Sequence, residues 1–226
     1  MQVETGLDRL PGTAPSVDRE RVLWEAGSYR VVGLDEVGRG SLAGPIVAAA
    51  CLLPPYRVPP FSVRDSKLLS RAQRQRLARE ICEYADVVAL GAASHREVDR
   101  LDPLRASALA MLRALRRVPY WHHVLYDGLP LPELASPTCT PLVDGDERCV
   151  SIACAAIVAK VVRDRLMERL ARRFPDYGWD RNAGYGTAQH LEALQRYGPS
   201  PYHRRTFAPV RLSAFQHCQH RGDGCT

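Results

Sequence analysis

Two adjacent acids, Asp35 and Glu36, sit in the segment GLDEVGRG, close to glycines at positions 33, 38 and 40. A carboxylate pair in such a setting can hold a hard divalent cation or form an ordinary salt bridge in a turn, and the pair alone does not choose between them. Neighbouring side chains of a regular strand point to opposite faces. Both acids therefore reach one ion only if the strand ends there, and the glycines give it a reason to end. Arg39, between two of those glycines, is flanked by exposed amide donors. Two further acids follow strand or loop signals: Asp127 closes WHHVLYDG, and Asp146 lies in VDGDERCVSIA just ahead of a helix. Each is also a good turn or N-cap residue. In a basic chain, four carboxylates at the ends of separate elements fit an oxygen-only site for hard cations.

The elements that must position these acids can be read from periodicity and punctuation. YRVVGL (29–34) has strand composition, Gly38 and Gly40 turn the chain, and residues 43–53 form a second apolar strand, so a hairpin with the acids at its bend is expected. Ser70 can cap a helix reaching about residue 84, with Leu77, Ile81 and Tyr84 on one face and Arg71, Arg74, Arg76 and Arg79 largely elsewhere. Residues 86–92 give a third strand. Ser94 and Glu97 form a capping box ahead of a helix carrying Leu104, Ala108, Met111, Leu112 and Leu115. Residues 121–126 give a fourth strand ending at Asp127-Gly128. A proline-rich loop leads to a long helix over about 150–173, closed by Pro175, and a last helix follows Thr187 and stops at Gly198. This order favours an α/β fold, a mixed sheet flanked by helices. Residues 1–28, broken by Pro11, Gly12 and Pro15, read as an N-terminal arm or marginal helix anchored by Val22, Leu23 and Trp24. Residues 29–209 read as the catalytic domain and 210–226 as a tail.

Bulk composition narrows the function classes. The chain has 226 residues, 46% hydrophobic and 25% charged, which suits one domain with appendages. The net charge of +6, carried almost entirely by arginine with Lys67 and Lys160 the only lysines, suits a polyanionic partner. No apolar run approaches the roughly 20 residues that span a bilayer, and residues 1–28 lack the apolar centre of a signal peptide, so a cytoplasmic protein without a membrane partner is expected. Seven cysteines without a C-x-x-C pair argue against a disulfide framework. His217-Cys218-Gln219-His220 with Cys225 match no zinc spacing.

The segments GLDEVGRGSLAGPIVAAA, DSKLLS, LYDG, GD followed by SIACAAIVAKVVRD, AGYGTAQH and HRRTF occur in one order from about residue 30 to residue 209. In that order the chain resembles bacterial ribonuclease HII. The resemblance implies a ribonuclease H-like fold with a five-stranded mixed sheet, one strand more than read above, and a helical C-terminal part that shapes the substrate groove. It places the family's metal-binding acids on Asp35, Glu36, Asp127 and Asp146, for two Mg²⁺ or Mn²⁺ ions once substrate is bound. Its 2′-hydroxyl-reading GRG element falls on Gly38, Arg39 and Gly40, its sugar-stacking tyrosine on Tyr185, and phosphate-contacting cations on Lys67 and Arg204. Glycine-lined backbone suits that task, because the 2′-hydroxyl separates RNA from DNA and only a slim turn approaches it closely. Asp164, beside Arg163 and Arg165, stays outside the metal set as an ion-pair candidate. Lys160 is structural or phosphate-facing, and His190 and His203 read as packing residues. Three positions depart from the family pattern: Ala183 for lysine, Ala156 for serine and Asp102 for asparagine.

The activity implied is hydrolysis of the phosphodiester on the 5′ side of a ribonucleotide, in RNA/DNA hybrids or in duplex DNA with embedded ribonucleotides. Two other readings stand beside it. A resolvase- or transposase-like relative would ignore the 2′-hydroxyl, which the GRG segment argues against. A silent nucleic-acid-binding module would not keep four acids that repel phosphate in the absence of metal. No heptad or spare apolar stripe asks for a second copy, so a monomer is expected. Residues 211–226 contain Phe215 but no clear clamp-binding peptide, which leaves a sliding-clamp partner unsupported.

Overall fold

The computed structural model describes residues 14–63 and 69–221. In chain order the elements are α1 (Asp18–Glu25), β1 (Val31–Val37), β2 (Ile46–Leu52), α2 (Arg71–Tyr84), β3 (Val87–Ala93), α3 (His95–Leu101), α4 (Pro103–Leu115), β4 (His123–Asp127), β5 (Cys139–Leu142), α5 (Gly145–Arg148), α6 (Val150–Ala171), α7 (Trp179–Asn182), α8 (Ala188–Tyr197) and α9 (Ala208–Arg221), with short 3-10 turns after β4 and α6. The strands form one sheet in the order β3-β2-β1-β4-β5. β2 is antiparallel to both of its neighbours, whereas β1, β4 and β5 run parallel. The α/β class and the mixed sheet of five strands are as expected.

β2 is buried along its whole length, as a strand covered on both faces must be. One cover is α6, whose first half reads VSIACAAIVA and is apolar all round because the sheet lies on one side and α1 and α2 on the other. The second cover is α4, which buries Ala106, Ala110, Met111 and Ala114 against Val32, Leu34, Ala48 and Ala50. A third cluster, built on Leu42, Met167, Trp179 and Leu194, joins the C-terminal helices to the far half of α6.

Several expectations need revision. β1 does not end at the acids: it pairs with β2 through Val37, with Asp35 opposite Ala49 and Glu36 opposite Ala48, so the bend begins only at Gly38. β5 was missed because CTPL is four residues long and contains Pro141, a poor advertisement for a strand except at a sheet edge, where it lies. The single helix expected after Ser94 is two, broken at Asp102-Pro103, since the residue before proline is driven out of helical geometry. The described part of the N-terminal arm is the helix α1, docked by Val17 and Trp24 in the α6 core. Burial of a large apolar side chain contributes about 2 kcal/mol, enough to hold a short helix that would not form alone. The expected tail is helical through Arg221, with Val210 and Ser213 buried.

Candidate active site

Strand register assembles the acids. β1 and β4 pair in parallel up to Leu34 and Tyr126, so the next residues, Asp35 and Asp127, leave the two strands side by side at one end of the sheet. Asp146 arrives on α5, and the Gly145 N–H just before it donates to Asp127 Oδ1 at 2.7 Å, tying the Asp146 turn to β4. Glu36 springs from the opposite face of β1 and still reaches the site, because pairing with β4 has stopped and that edge of the strand is open. Asp35, Glu36, Asp127 and Asp146 line one cavity of about 520 Å³ together with Gly38, Arg39, Gly40 and Tyr185. A somewhat larger groove of about 620 Å³, between Phe61 and α2, holds none of the expected residues, so size alone does not find the site.

The carboxylates repel one another. Burial first, then the charges of Glu36, Asp127 and Asp146, push the Asp35 carboxyl well above its ordinary range, against a 2.6 Å hydrogen bond from the Glu36 N–H. Glu36 is raised mainly by burial and by Asp127, and Arg39, its ion-pair partner, opposes the rise. Glu36 Oε2 is buried without a hydrogen-bond partner. An all-oxygen donor set with surplus negative charge and an orphaned oxygen fits a hard divalent cation in kind. Among the described residues no three such side chains already converge on a common point. Glu36 Oε1 is paired with Arg39, which leaves Oε2 as the oxygen open to an ion.

The glycine loop divides into a part the fold requires and a part it does not. Gly38 has φ +96°, and a Cβ there would meet Arg163 Nε at 2.1 Å, so only glycine fits. At Gly40 a Cβ would meet nothing within 4 Å, and the backbone asks for no positive φ. Gly40 is itself part of the cavity wall. Behind the loop lies Arg204, fully buried, which corrects the expectation of a phosphate contact. Its guanidinium donates to the carbonyls of Gly38 (2.8 Å), Arg39 (2.8 Å) and Gly44 (2.9 Å and 3.1 Å). In a trans peptide the C=O and the following N–H point in opposite directions. Drawing the Gly38 and Arg39 carbonyls inward therefore turns the Arg39 and Gly40 N–H groups outward. Burial and the neighbouring Arg163 lower Arg204 to about 9, still charged at neutral pH. Arg163 braces the same loop through Pro45, Ala43 and Ser41 and lies 5.5 Å from the Tyr185 ring.

Lys67 lies outside the described residues. Lys160 lines the cavity while bonded to Asp164 at 2.7 Å, so Asp164 is an ion-pair partner, and it is not among the cavity-lining acids. Arg74 and Asp144 also line the cavity and were not singled out; their signals were a basic helix face and the first acid of VDGD. Of the departures, Ala156 forms part of the wall. Ala183 has φ +47° and gives its carbonyl to Arg163. Asp102 has φ +78° and caps α4 by accepting from Leu104 N and Arg105 N, a position suited to aspartate or asparagine.

Comparison with known proteins gives the family. The family model described as Ribonuclease HII matches residues 32–210. A curated ribonuclease HII from Thermosynechococcus vestitus is 50% identical over 198 residues, 88% of this chain and 92% of its own length. Among solved structures, the ribonuclease H2 of Pyrococcus horikoshii OT3 aligns with a TM-score of 0.74 at 23% identity, covering 83% of this chain and 98% of its own. A Bst ribonuclease HIII in complex with Mn²⁺ aligns with a TM-score of 0.69 at 22% identity, over 86% of this chain and 71% of its own. These two likenesses establish the shared fold. With a family model spanning most of its length and half-identity to a curated relative over nearly the whole of both, the chain belongs to the ribonuclease HII family.

Proposed function

We propose that this protein is an endonuclease that hydrolyses the RNA strand of RNA/DNA hybrids and nicks duplex DNA on the 5′ side of an embedded ribonucleotide. The products carry 5′-phosphate and 3′-hydroxyl ends, so the nick begins removal of the ribonucleotide. The observation that carries this reading is the meeting in one cavity of four carboxylates and the Gly38-Arg39-Gly40 turn. Asp35, Glu36, Asp127 and Asp146 would hold Mg²⁺ or Mn²⁺, which supplies activation of the attacking water and charge relief at the departing 3′ oxygen. Outward N–H groups of Arg39 and Gly40 meet the 2′-hydroxyl, and the empty space at Gly40 lets the sugar come close. Tyr185 offers its ring to the sugar beside the ribonucleotide, while Lys67, Arg74 and Lys160 add positive charge for the backbone phosphates. Residues 29–209 form the catalytic unit of a monomer acting in the cytoplasm.

The test is a duplex containing one ribonucleotide, assayed beside an all-DNA control, with Mg²⁺ or Mn²⁺ and with excess chelator. The expected result is a single nick 5′ to the ribonucleotide, only with metal, and none in the control. Asp35→Asn and Asp127→Asn should abolish cleavage yet still retain the hybrid in a binding assay. Equal cutting of both duplexes, or full activity in chelator, would overturn the reading.

A further inference from the structure

Two histidines that the proposed reaction does not use, His190 in the first turn of α8 and His203 in the segment before α9, are buried at 0% and 1% exposure. Their Nε2 atoms are 3.0 Å apart. The partners around them leave one arrangement of protons. The Ser200 main-chain N–H donates to His203 Nδ1 at 2.9 Å, and a peptide nitrogen can only donate, so Nδ1 is bare and the neutral ring carries its proton on Nε2. That proton faces His190 Nε2, which also receives the Trp179 indole N–H at 3.1 Å and so must itself be bare. The His190 proton is then on Nδ1, 2.9 Å from the carbonyl oxygen of Tyr185. Burial lowers both imidazoles, His203 to about 3, in keeping with a neutral pair. The chain of donors runs one way, from Ser200 through His203 and His190 to the main chain of Tyr185.

Tyr185 is the member of the cavity lining that lies nearest to these groups in the sequence. Its carbonyl also accepts from the Thr187 N–H at 2.9 Å, its N–H donates to Asn182 O at 2.9 Å, and its ring lies beside Arg163. The carbonyl thus has both of its acceptor directions engaged, one by backbone and one by His190. Without the imidazole donor the Tyr185 carbonyl would keep the Thr187 N–H alone, while Arg163 and the Leu42 N–H would still hold the carbonyls of Ala183 and Gly184.

We propose that His190 and His203 are positioning residues, a directional hydrogen-bond relay that fixes the Tyr185 main chain and thereby sets how productively a ribonucleotide-containing duplex is seated. The proposal rests on the assignment of Tyr185 to substrate contact made above. Neither histidine touches substrate; both act through Tyr185.

Two measurements on the full chain test it. Long-range ¹H–¹⁵N correlation spectra at pH 7 should give two neutral rings, His190 protonated at Nδ1 and His203 at Nε2; an imidazolium or either reversed tautomer overturns the relay. Steady-state kinetics on the single-ribonucleotide duplex should give His190→Leu a KM raised roughly fivefold to tenfold with kcat little changed, the scale of one lost hydrogen bond. His190→Asn, which keeps a donor near the Nδ1 position, should stay within about threefold of the parent. A purely structural role would make the two variants equally poor and lower kcat and Tm together, which would overturn the proposal. Tyr185→Ala should raise KM by itself, and His190→Leu added to it should cost little more. Multiplying losses in the double variant would overturn the relay and leave the Tyr185 assignment intact, whereas a silent Tyr185→Ala would overturn that assignment and the relay with it. Should His190→Leu fail to fold, the spectra and His190→Asn still decide.

Discussion

Gly38 and Gly40 sit two residues apart, and the fold demands glycine at the first, whereas only the substrate contact proposed above gives a reason for it at the second. Gly38 cannot carry a side chain because of its φ and the Arg163 guanidinium, while Gly40 has open space before it. Gly40→Ala should therefore change folding stability by less than about 0.5 kcal/mol and still lower kcat/KM on a single-ribonucleotide duplex by roughly tenfold or more, read by thermal melting and a cleavage assay. An active Gly40→Ala would remove the main reason for placing substrate there. The acids make the opposite trade. Asp35 is held above its ordinary range by burial and three like charges, so in chelator its charge works against the fold. Its contribution to stability is present at low pH and lost as pH rises through the elevated value. Asp35→Asn should consequently raise stability in chelator at pH 8 by at least about 1 kcal/mol while abolishing cleavage, and an unchanged or lower Tm would contradict this account.

Among the elements, α1 is tied to a distant part of the chain by a buried carboxylate. Glu20, 1% exposed, accepts from both the N–H and the hydroxyl of Ser151 in the first turn of α6, and the Ser16 backbone pairs with Cys149 just ahead of it. The carboxylate satisfies donors that a helix start leaves open and lies at the favourable end of the α6 dipole. Glu20→Ala should cost about 1–2 kcal/mol, because burial offsets part of what the bonds contribute, and the loss is measurable by denaturant unfolding. A loss within experimental error would mean that α1 is held by the Val17 and Trp24 contacts and the Ser16–Cys149 pairing without help from Glu20. None of this could be read from the sequence, since Glu20 and Ser151 are separated by 131 positions and neither has a local signature of the contact. The capping boxes at Ser70 with Gln73 and Ser94 with Glu97 were legible because cap and partner are three residues apart. That the four acids share one cavity was legible as well, although β1 runs on past Asp35 and Glu36 to Val37. Arg204 was not: an arginine that meets phosphate and one that braces a loop from below look the same in HRRTF, and only burial separates them. The break at Asp102 was written in the proline that follows it, but the apolar period continued across it and hid it.

At the scale of the whole molecule, the C-terminal helices join the far half of α6 through a third core that the buried histidine pair adjoins, and acid should loosen that junction. His203 is kept neutral down to about pH 3 by burial, with His190 and His95 nearby, and His190 is lowered too. Above about pH 6.5 both rings are neutral whether folded or not. As pH falls from there towards 3 the unfolded chain protonates His203 while the folded chain refuses the proton, so stability drops by up to about 1.4 kcal/mol per pH unit, and His190 acts in the same direction. The Tm advantage of the parent over His203→Asn should therefore shrink between pH 7 and pH 4, and a constant or growing gap would contradict the assignment. The sheet has a consequence of another kind, in time. β1 and β2 are neighbours in the chain and can zip together early, but β4 joins β1 across a separation of 92 residues, as the Arg30–His122 contact at the foot of the pair records. Long-range parallel pairing is slow to form. Asp35 and Asp127 meet only when that pairing is made, so during refolding, nuclease activity should return with the last structural phase and never before it. A half-folded chain is then harmless to nucleic acid, a safeguard that comes from strand order alone.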